Sequence, residues 1–311
     1  MKENRILGTA LLMITALIWG TAFVAQRVGM DNIQPLSFTA ARMGLAALPV
    51  GLLAYVLRRP GRTPEPGVSE EELALRRRDT ILGGVCCGVC LTVATLFQQY
   101  GIVTTTAGTA GFITAMYILL VPVLDRLIFG KKHSLRVWVA VLIGVAGMYL
   151  LCVGQGLHIT RGDALICASA LVFSGHILCI DFFVRNGEPL WIAAIQFAFS
   201  AVLTGIGALI FENPGWDQFV AAGIPILYCG LLSGGVAYTL QIVAQRYTEP
   251  TVASLLLSLE SMFAVLAGAL LLHERLSARE ALGYVVLFAA IALVQLPAWK
   301  RSGEKEQKGS E

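Results

Sequence analysis

The sequence predicts an all-α integral membrane protein with ten transmembrane helices arranged as two inverted five-helix repeats. Three observations carry this expectation: composition, a series of long apolar runs, and similarity between the halves of the chain. Of the 311 residues, 56% are hydrophobic and 14% charged, and the mean hydropathy is +0.73; soluble domains carry roughly 25% charged residues. About 20 apolar residues cross a ~30 Å hydrocarbon core at 1.5 Å per residue. Runs of that length occupy 6–26, 35–57, 80–100, 104–127, 136–154, 162–183, 189–211, 219–244, 250–272 and 278–297. Only short connections remain, so the sequence leaves no room for a separate soluble catalytic or nucleic-acid-binding module.

The first run follows Lys2 and Arg5, as a secretory signal would, yet Ile6 to Ala25 exceeds the 7–15 residues of a signal core and no A-x-A site follows. It is read as a retained span. Between the second and third runs, "SEEELALRRRD" places acids at the start and arginines at the end of a short juxtamembrane helix, with Ser69 and Glu72 in capping-box positions. Apart from Arg42 within a span and Arg27, Arg161, Arg275 and Arg279, all 23 Lys and Arg residues fall in the tails and alternate loops of one side. The positive-inside rule then places both termini in the cytoplasm. All seven cysteines (86, 87, 90, 152, 167, 179 and 229) fall inside spans, where they serve as small packing residues. The sequence calls for no metal and no cofactor.

Laying "GTALLMITALIW" (Gly8 to Trp19) over "GDALICASALVF" (Gly162 to Phe173) matches glycine and two Ala-Leu pairs at an offset of 154, which also superposes Pro35-Leu36 on Pro189-Leu190 and Arg42 on Gln196. Beyond the long loop 58–79 the offset becomes 143: Gln98 meets Gln241, Tyr117 meets Glu260, and "GKKHS" (130–134) meets "HERLS" (273–277). The predicted units are therefore 6–154 and 162–297, followed by a cytoplasmic tail 298–311. Five spans per unit is an odd number, so the second must run inverted. Inverted repeats of this kind typify secondary transporters, with the binding site near the midplane at the repeat interface.

Ionisable residues inside spans are costly and mark functional sites by default. Glu260 lies about ten residues from either end of the ninth run. Projected as a helix, 250–272 collects Val252, Leu255, Leu256, Leu259, Phe263, Leu266 and Leu270 on a lipid-facing side, and Thr251, Ser254, Ser258, Glu260, Ser261 and Gly268 on an inward side. In the fourth run Thr106, Ala110, Thr114 and Tyr117 share a stripe, so a polar interior would be walled by Thr106, Thr109, Thr114 and Tyr117 on one side and Ser254, Ser258, Glu260 and Ser261 on the other. Two readings stand for the acid: a cavity or coupling group, or a carboxyl bonded across packed helices. Gln98 and Gln241 sit towards opposite ends and suit gates, or simply interfaces. Arg42, about 10 Å from the outer end of its helix, either snorkels or binds an anion, and His176 is either a relay or substrate group or a packed neutral imidazole. The pairs Gly84/Gly88 and Gly230/Gly234 have GxxxG spacing for close helix contact. "HERLS" lacks the second histidine of a zinc-protease motif, and no catalytic residue set appears.

The segments "ALIWGTAFVAQRVGM", "PLSFTAARMGLAALP", "FQQYGIVTTTAGTAGFITAMYILLVPVL" and "LESMFAVLAGALLLHERLSAREALGYVV" resemble the EamA-type family of the drug/metabolite transporter superfamily, in order and over about residues 6–297. The resemblance implies a bacterial inner-membrane transporter of small metabolites, amino acids or drugs, often exporting by alternating access. It also implies that Trp19, Arg42, Glu260 and Glu274 occupy motif positions. "GKKHS" and Ser261 depart from the family's usual glycine-glutamate turn and proline. The expected function is secondary active export of a small molecule, with Glu260 taking a proton or a cationic group; the alternative is a passive facilitator in which Glu260 is structural.

Overall fold

A computed structural model of the chain describes residues 2–57, 69–152, 160–273 and 277–295. The predicted site residue Glu274, with Arg275 and the tail 298–311, lies outside the described residues. Every regular element among those described is helical. Among the described residues, eight helical stretches are long and apolar enough to cross a membrane, and two shorter apolar helical stretches cover Leu135–Gly147 and Ala281–Ala290. The chain is thus a multi-pass helical membrane protein.

Helices α1 (Lys2–Gly29) and α2 (Pro35–Leu57) follow the first two runs. Proline opens α2, where its missing N–H costs nothing. The next free donors are taken by a distant carboxylate: Glu212 accepts from Leu36 N at 2.9 Å, Ser37 N at 2.7 Å and Ser37 Oγ at 2.6 Å. Helix α3 (Glu70–Ile102) is continuous over 33 residues, joining the expected juxtamembrane helix to the third span because no proline or glycine interrupts "ALRRRDTIL". Its Ser69 cap accepts from Glu72 N at 3.2 Å.

Two expected single helices are broken. The fourth run becomes α4 (Ala107–Thr114) and α5 (Tyr117–Phe129), divided by a tight turn in which Ile118 N and Leu119 N bond to Ala115 O and Met116 O. After α6 (Leu135–Cys152), α7 (Arg161–Phe183) starts from a reciprocal Thr160/Asp163 capping box and α8 (Pro189–Phe211) from another proline. A short α9 (Trp216–Ala221) leads into α10 (Gly223–Leu227), which continues as a π-helical stretch, Tyr228–Tyr238, and then α11 (Thr239–Gln245). The ninth run divides at Ser258 into α12 (Pro250–Leu257) and α13 (Leu259–Leu271), and α14 (Ala278–Gln295) completes the chain.

The second break has a visible cause. Ser254, Ser258 and Ser261 each donate their hydroxyl to a carbonyl three residues back, Thr251 O at 2.9 Å, Leu255 O at 2.8 Å and Ser258 O at 2.8 Å. Such back-bonding competes with the helical ladder and bends it. The break also spoils the single-helix projection: Leu255, Leu256 and Leu259, expected towards lipid, are buried, whereas Leu266 and Leu270 are exposed.

α2 packs along α8, α3 against α7 and α8, α1 against α13 and the π-helical stretch, α5 against α7, and α6 against α14. The glycine pairs permit the expected close contacts: Cβ atoms at Gly84 and Gly88 would overlap Ile195 and Phe199, and at Gly230 and Gly234 Leu45 and Ala46. Gly20 matters most for the interior, since a Cβ there would run into Phe263 and the backbone of Glu260 and Ala264. A helix backbone cannot yield locally, so Gly20→Val is expected to destabilise the protein by about 1–3 kcal/mol, read as an earlier thermal loss of the monodisperse peak in size-exclusion chromatography; an unchanged melting profile would refute the contact.

At one end of the bundle an ionic cluster joins α5 to α7. Asp125, buried, faces Lys131 Nζ at 3.2 Å and His133 Nε2 at 3.3 Å; Lys131 also reaches Asp181 at 3.7 Å, which Arg185 binds at 2.7 Å. Gly130 ends α5 in the left-handed conformation, φ 68°, and turns Lys131 and His133 back onto Asp125. Asp125→Asn is expected to cost about 1–2 kcal/mol, the Lys131 share being reduced by its exposure. A double-mutant cycle with Lys131→Met checks it: additive losses would mean that the pair contributes nothing.

Candidate functional site

A central cavity forms where both broken helices meet α1, α2, α3, α7 and the π-helical stretch. The space between its walls, counted out to its open mouth, is about 440 Å³. Eight of the residues singled out in the sequence line it: Trp19, Arg42, Gln98 and Thr114 together with Tyr117, His176, Gln241 and Glu260. Thr106 and Thr109, bonded to each other at the start of α4, do not, and neither do Ser254, Ser258 and Ser261. The serine hydroxyls serve carbonyls of α12 and of the α12–α13 break, which is the physical reason they leave the cavity wall. Gln98 and Gln241, read as lying towards opposite ends, border this same cavity.

Arg42 is buried at 3% exposure and does not snorkel. Its Nη1 donates to Gln26 Oε1 at 3.3 Å and its guanidinium lies 5.8 Å from the Phe38 ring centroid. Nε and Nη2 have no hydrogen-bond partner among the described residues. Glu260 is 2% exposed and opens α13, so the helix start directs partial positive charge towards it. The Tyr117 phenol faces its carboxyl, yet neither the Tyr117 hydroxyl nor Glu260 Oε1 has a hydrogen-bond partner among the described residues. No ion pair joins Arg42 to Glu260 among the described residues.

His176 is fully buried, with Nε2 3.0 Å from Gln196 Oε1. An amide oxygen only accepts, so this contact places the imidazole proton on Nε2 and leaves Nδ1 as an acceptor; Nδ1 has no partner among the described residues. Gln98 Nε2 donates to Thr114 Oγ1 at 3.1 Å, tying α3 to the end of α4. Trp19 Nε1 donates to Ser233 O at 3.1 Å, and Thr15 Oγ1 to Ala237 O at 3.2 Å. These side chains of α1 satisfy carbonyls of the π-helical stretch, a geometry that recurs at functional sites. Thr21 and Tyr228 hydrogen-bond nearby through their hydroxyls.

Sequence reasoning missed Phe23, Gln26, Phe173, Ser233 and Tyr238, all of which line the cavity. Helical spacing held the signal for most of them: Trp19, Phe23 and Gln26 follow at intervals of four and three, Phe173 precedes His176 by three, and Tyr238 precedes Gln241 by three. Tyr238 is the aromatic hub. Its ring centroid is 4.5 Å from Trp19 and 6.0 Å from both His176 and Phe197. Ser233 reaches the cavity because the π-helical stretch changes the angular register of its residues.

Comparison with known proteins identifies the family. The profile of the EamA-like transporter family matches residues 6–153 and again 160–296. An uncharacterized transporter of Archaeoglobus fulgidus is 27% identical over 285 residues, 92% of this chain and 84% of that protein. The uncharacterized inner membrane transporter YedA of Escherichia coli K12 is 24% identical over 287 residues, 90% of this chain and 88% of that protein. One solved crystal structure superposes with a TM-score of 0.69 at 17% identity, covering 93% of this chain and 96% of that one, a likeness of fold.

Proposed function

The chain belongs to the EamA-like transporter family, and from that premise we propose that this membrane transporter is a secondary exporter of small metabolites or drugs across a bacterial inner membrane. Two inverted five-helix units, 6–154 and 162–297, rock about the central cavity and expose it to each face in turn. Both termini lie in the cytoplasm, and Glu260 takes a proton or a cationic group of the cargo. The observation that carries this reading is the cavity itself: a partly open space at the breaks of two helices, lined by polar side chains and aromatic rings, with Thr114, Tyr117 and Glu260 in its wall.

Several features support the inverted repeat. At the offset of 143, α4 (Ala107–Thr114) falls residue for residue on α12 (Pro250–Leu257). Gly130 and His273, also counterparts, both have left-handed backbone, φ 68° and 54°. α2 packs on its own counterpart α8, and α6 on α14; α3 on α7 is answered by α1 against the π-helical stretch and α11. A two-fold relation between the units requires such paired contacts. Discontinuous helices with polar groups at their breaks are what transporters use to hold a solute at mid-depth.

The experiment has two stages. Mass spectrometry of medium and cell extracts, with and without expressed protein, identifies metabolites enriched outside. Inverted membrane vesicles then receive the enriched compound with an imposed proton gradient. Gradient-dependent accumulation is the expected result; flux that only equilibrates would favour the passive facilitator, and no flux would remove the transport assignment of this cavity.

A further inference from the structure

Away from the central cavity, a smaller one opens between α5, α6 and α12. It measures about 220 Å³ out to its mouth and is walled by Ile118, Leu119, Val137, Val141 and Leu255. Thr251, the one hydroxyl among the described lining residues, is 7% exposed, and its Oγ1 has no hydrogen-bond partner among the described residues. An orphan polar atom in a native interior calls for an explanation. The sequence accounts for the gap. In the other halves of the same two broken helices, α4 meets α13 so closely that a Cβ at Gly111 would overlap Ala264. At the offset of 143 these positions become Ser254 and Val121, whose larger side chains prevent α12 from closing as tightly on α5.

The mouth is basic and aromatic. Arg126 follows Leu119 by two turns of α5, which sets it on the same face about 10 Å nearer the helix end. The Trp138 ring lies 6.0 Å from its guanidinium, and Trp138 follows Val137 of the cavity wall. Asp125 and Asp181 nearby are taken by Lys131, His133 and Arg185. Arg126 and Lys132 are exposed and make no ion pair among the described residues. Glu249, exposed at the start of α12, sets one charge against these two cations. Leu127 and Leu135 beside the mouth are 74% and 78% exposed. Cations, an indole and exposed apolar side chains at a helix end suit the headgroup layer of a bilayer.

We propose that this cavity binds one anionic phospholipid. The phosphate pairs with Arg126 and Lys132, a glycerol ester carbonyl accepts from Thr251 Oγ1, and an acyl chain fills the space between Leu119, Val141 and Leu255. A zwitterionic phospholipid brings a further cation to the same basic rim and binds less tightly. Because α5 belongs to the first repeat unit and α12 to the second, the lipid bridges the two units beside Ile118, the neighbour of Tyr117 in the central cavity. The proposal does not require transport; the topology given above adds that the lipid comes from the cytoplasmic leaflet.

The test titrates the full chain in detergent with phosphatidylglycerol, phosphatidylcholine or glycerol phosphate, read by native mass spectrometry. The wild type is expected to retain one phosphatidylglycerol, bound about fivefold or more tighter than phosphatidylcholine, and to retain no glycerol phosphate. Arg126→Gln is expected to bring the two lipids within about twofold of each other, whereas Arg77→Gln, which removes an exposed cation of α3, leaves the preference unchanged. Thr251→Val, which keeps the volume, is expected to weaken both lipids alike. Val141→Trp fills the cavity and is expected to abolish retention; Val137→Phe provides a second reading should that variant fail to fold, as judged by size exclusion. Equal binding of the two lipids by the wild type, equal effects of Arg126→Gln and Arg77→Gln, or lipid retained by a folded cavity-filling variant would each overturn the proposal. So would glycerol phosphate binding as tightly as the lipid, which would make this a site for a free anion. Vesicle flux separates the claims: flux without lipid preference defeats the lipid site alone, whereas selective lipid retention without flux defeats the transport reading alone.

Discussion

Glu260→Gln is expected to lower the transport rate by about tenfold or more, the loss corresponding to one charge-assisted contact of about 1.5–3 kcal/mol. The substitution keeps the shape of the side chain and its place opposite Tyr117, but removes the one acidic group that lines the cavity among the described residues. Neither a proton nor a cationic group can then be held there as before. Glu260→Asp retains the acid and withdraws it from Tyr117 by one methylene, so partial activity is expected. Initial flux into inverted vesicles, normalised to protein amount, provides the measurement. A Glu260→Gln protein that transports like the wild type would make the acid a structural member of the α1–α13 contact and would move the site of coupling elsewhere.

Tyr238→Ala is expected to cost about 3–5 kcal/mol of stability, the range for deleting a large buried aromatic side chain. Tyr238 is 6% exposed and touches Trp19, His176 and Phe197, so its ring connects α1, α7, α8 and the π-helical stretch. Its loss enlarges the cavity and frees Trp19, whose N–H otherwise anchors Ser233 O. Tyr238→Phe, which keeps the ring, is expected to remain within about 1 kcal/mol of the wild type. Thermal unfolding in detergent, followed by light scattering, distinguishes them; equal destabilisation by both would place the energy in the hydroxyl rather than in ring packing.

Much of the site was readable from single residues. Glu260, Arg42 and His176 stand out because an ionisable group in an apolar run must face protein, water or a ligand rather than lipid, and all three line the cavity. The offset comparison led from Glu260 to Tyr117, and the two face one another. The serines misled because their type is polar but their use is local. Ser258 and Ser261 share a projected face with Glu260, yet their hydroxyls bond to their own helix, and a projection that assumes an unbroken helix cannot distinguish these outcomes. Tyr238 was missed for the opposite reason: an aromatic residue in an apolar run carries no cost that would draw notice, and its importance comes entirely from neighbours on other helices.

By itself the sequence determined that the protein is a helical membrane protein, where its apolar runs lie and which ionisable residues must be sheltered within them. These follow from the solvent, because hydrocarbon admits no unsatisfied backbone and few charges, and both constraints are written into residue type and run length. Tertiary structure alone decided that two spans break, that a third carries a π-helical stretch, and that Arg42 and Glu260 share a cavity without pairing. Those outcomes depend on which carbonyls lose their ladder partners and which side chains of distant helices replace them, as Trp19 does at Ser233. Such exchanges cost little locally and are fixed only when helices far apart in sequence come into contact.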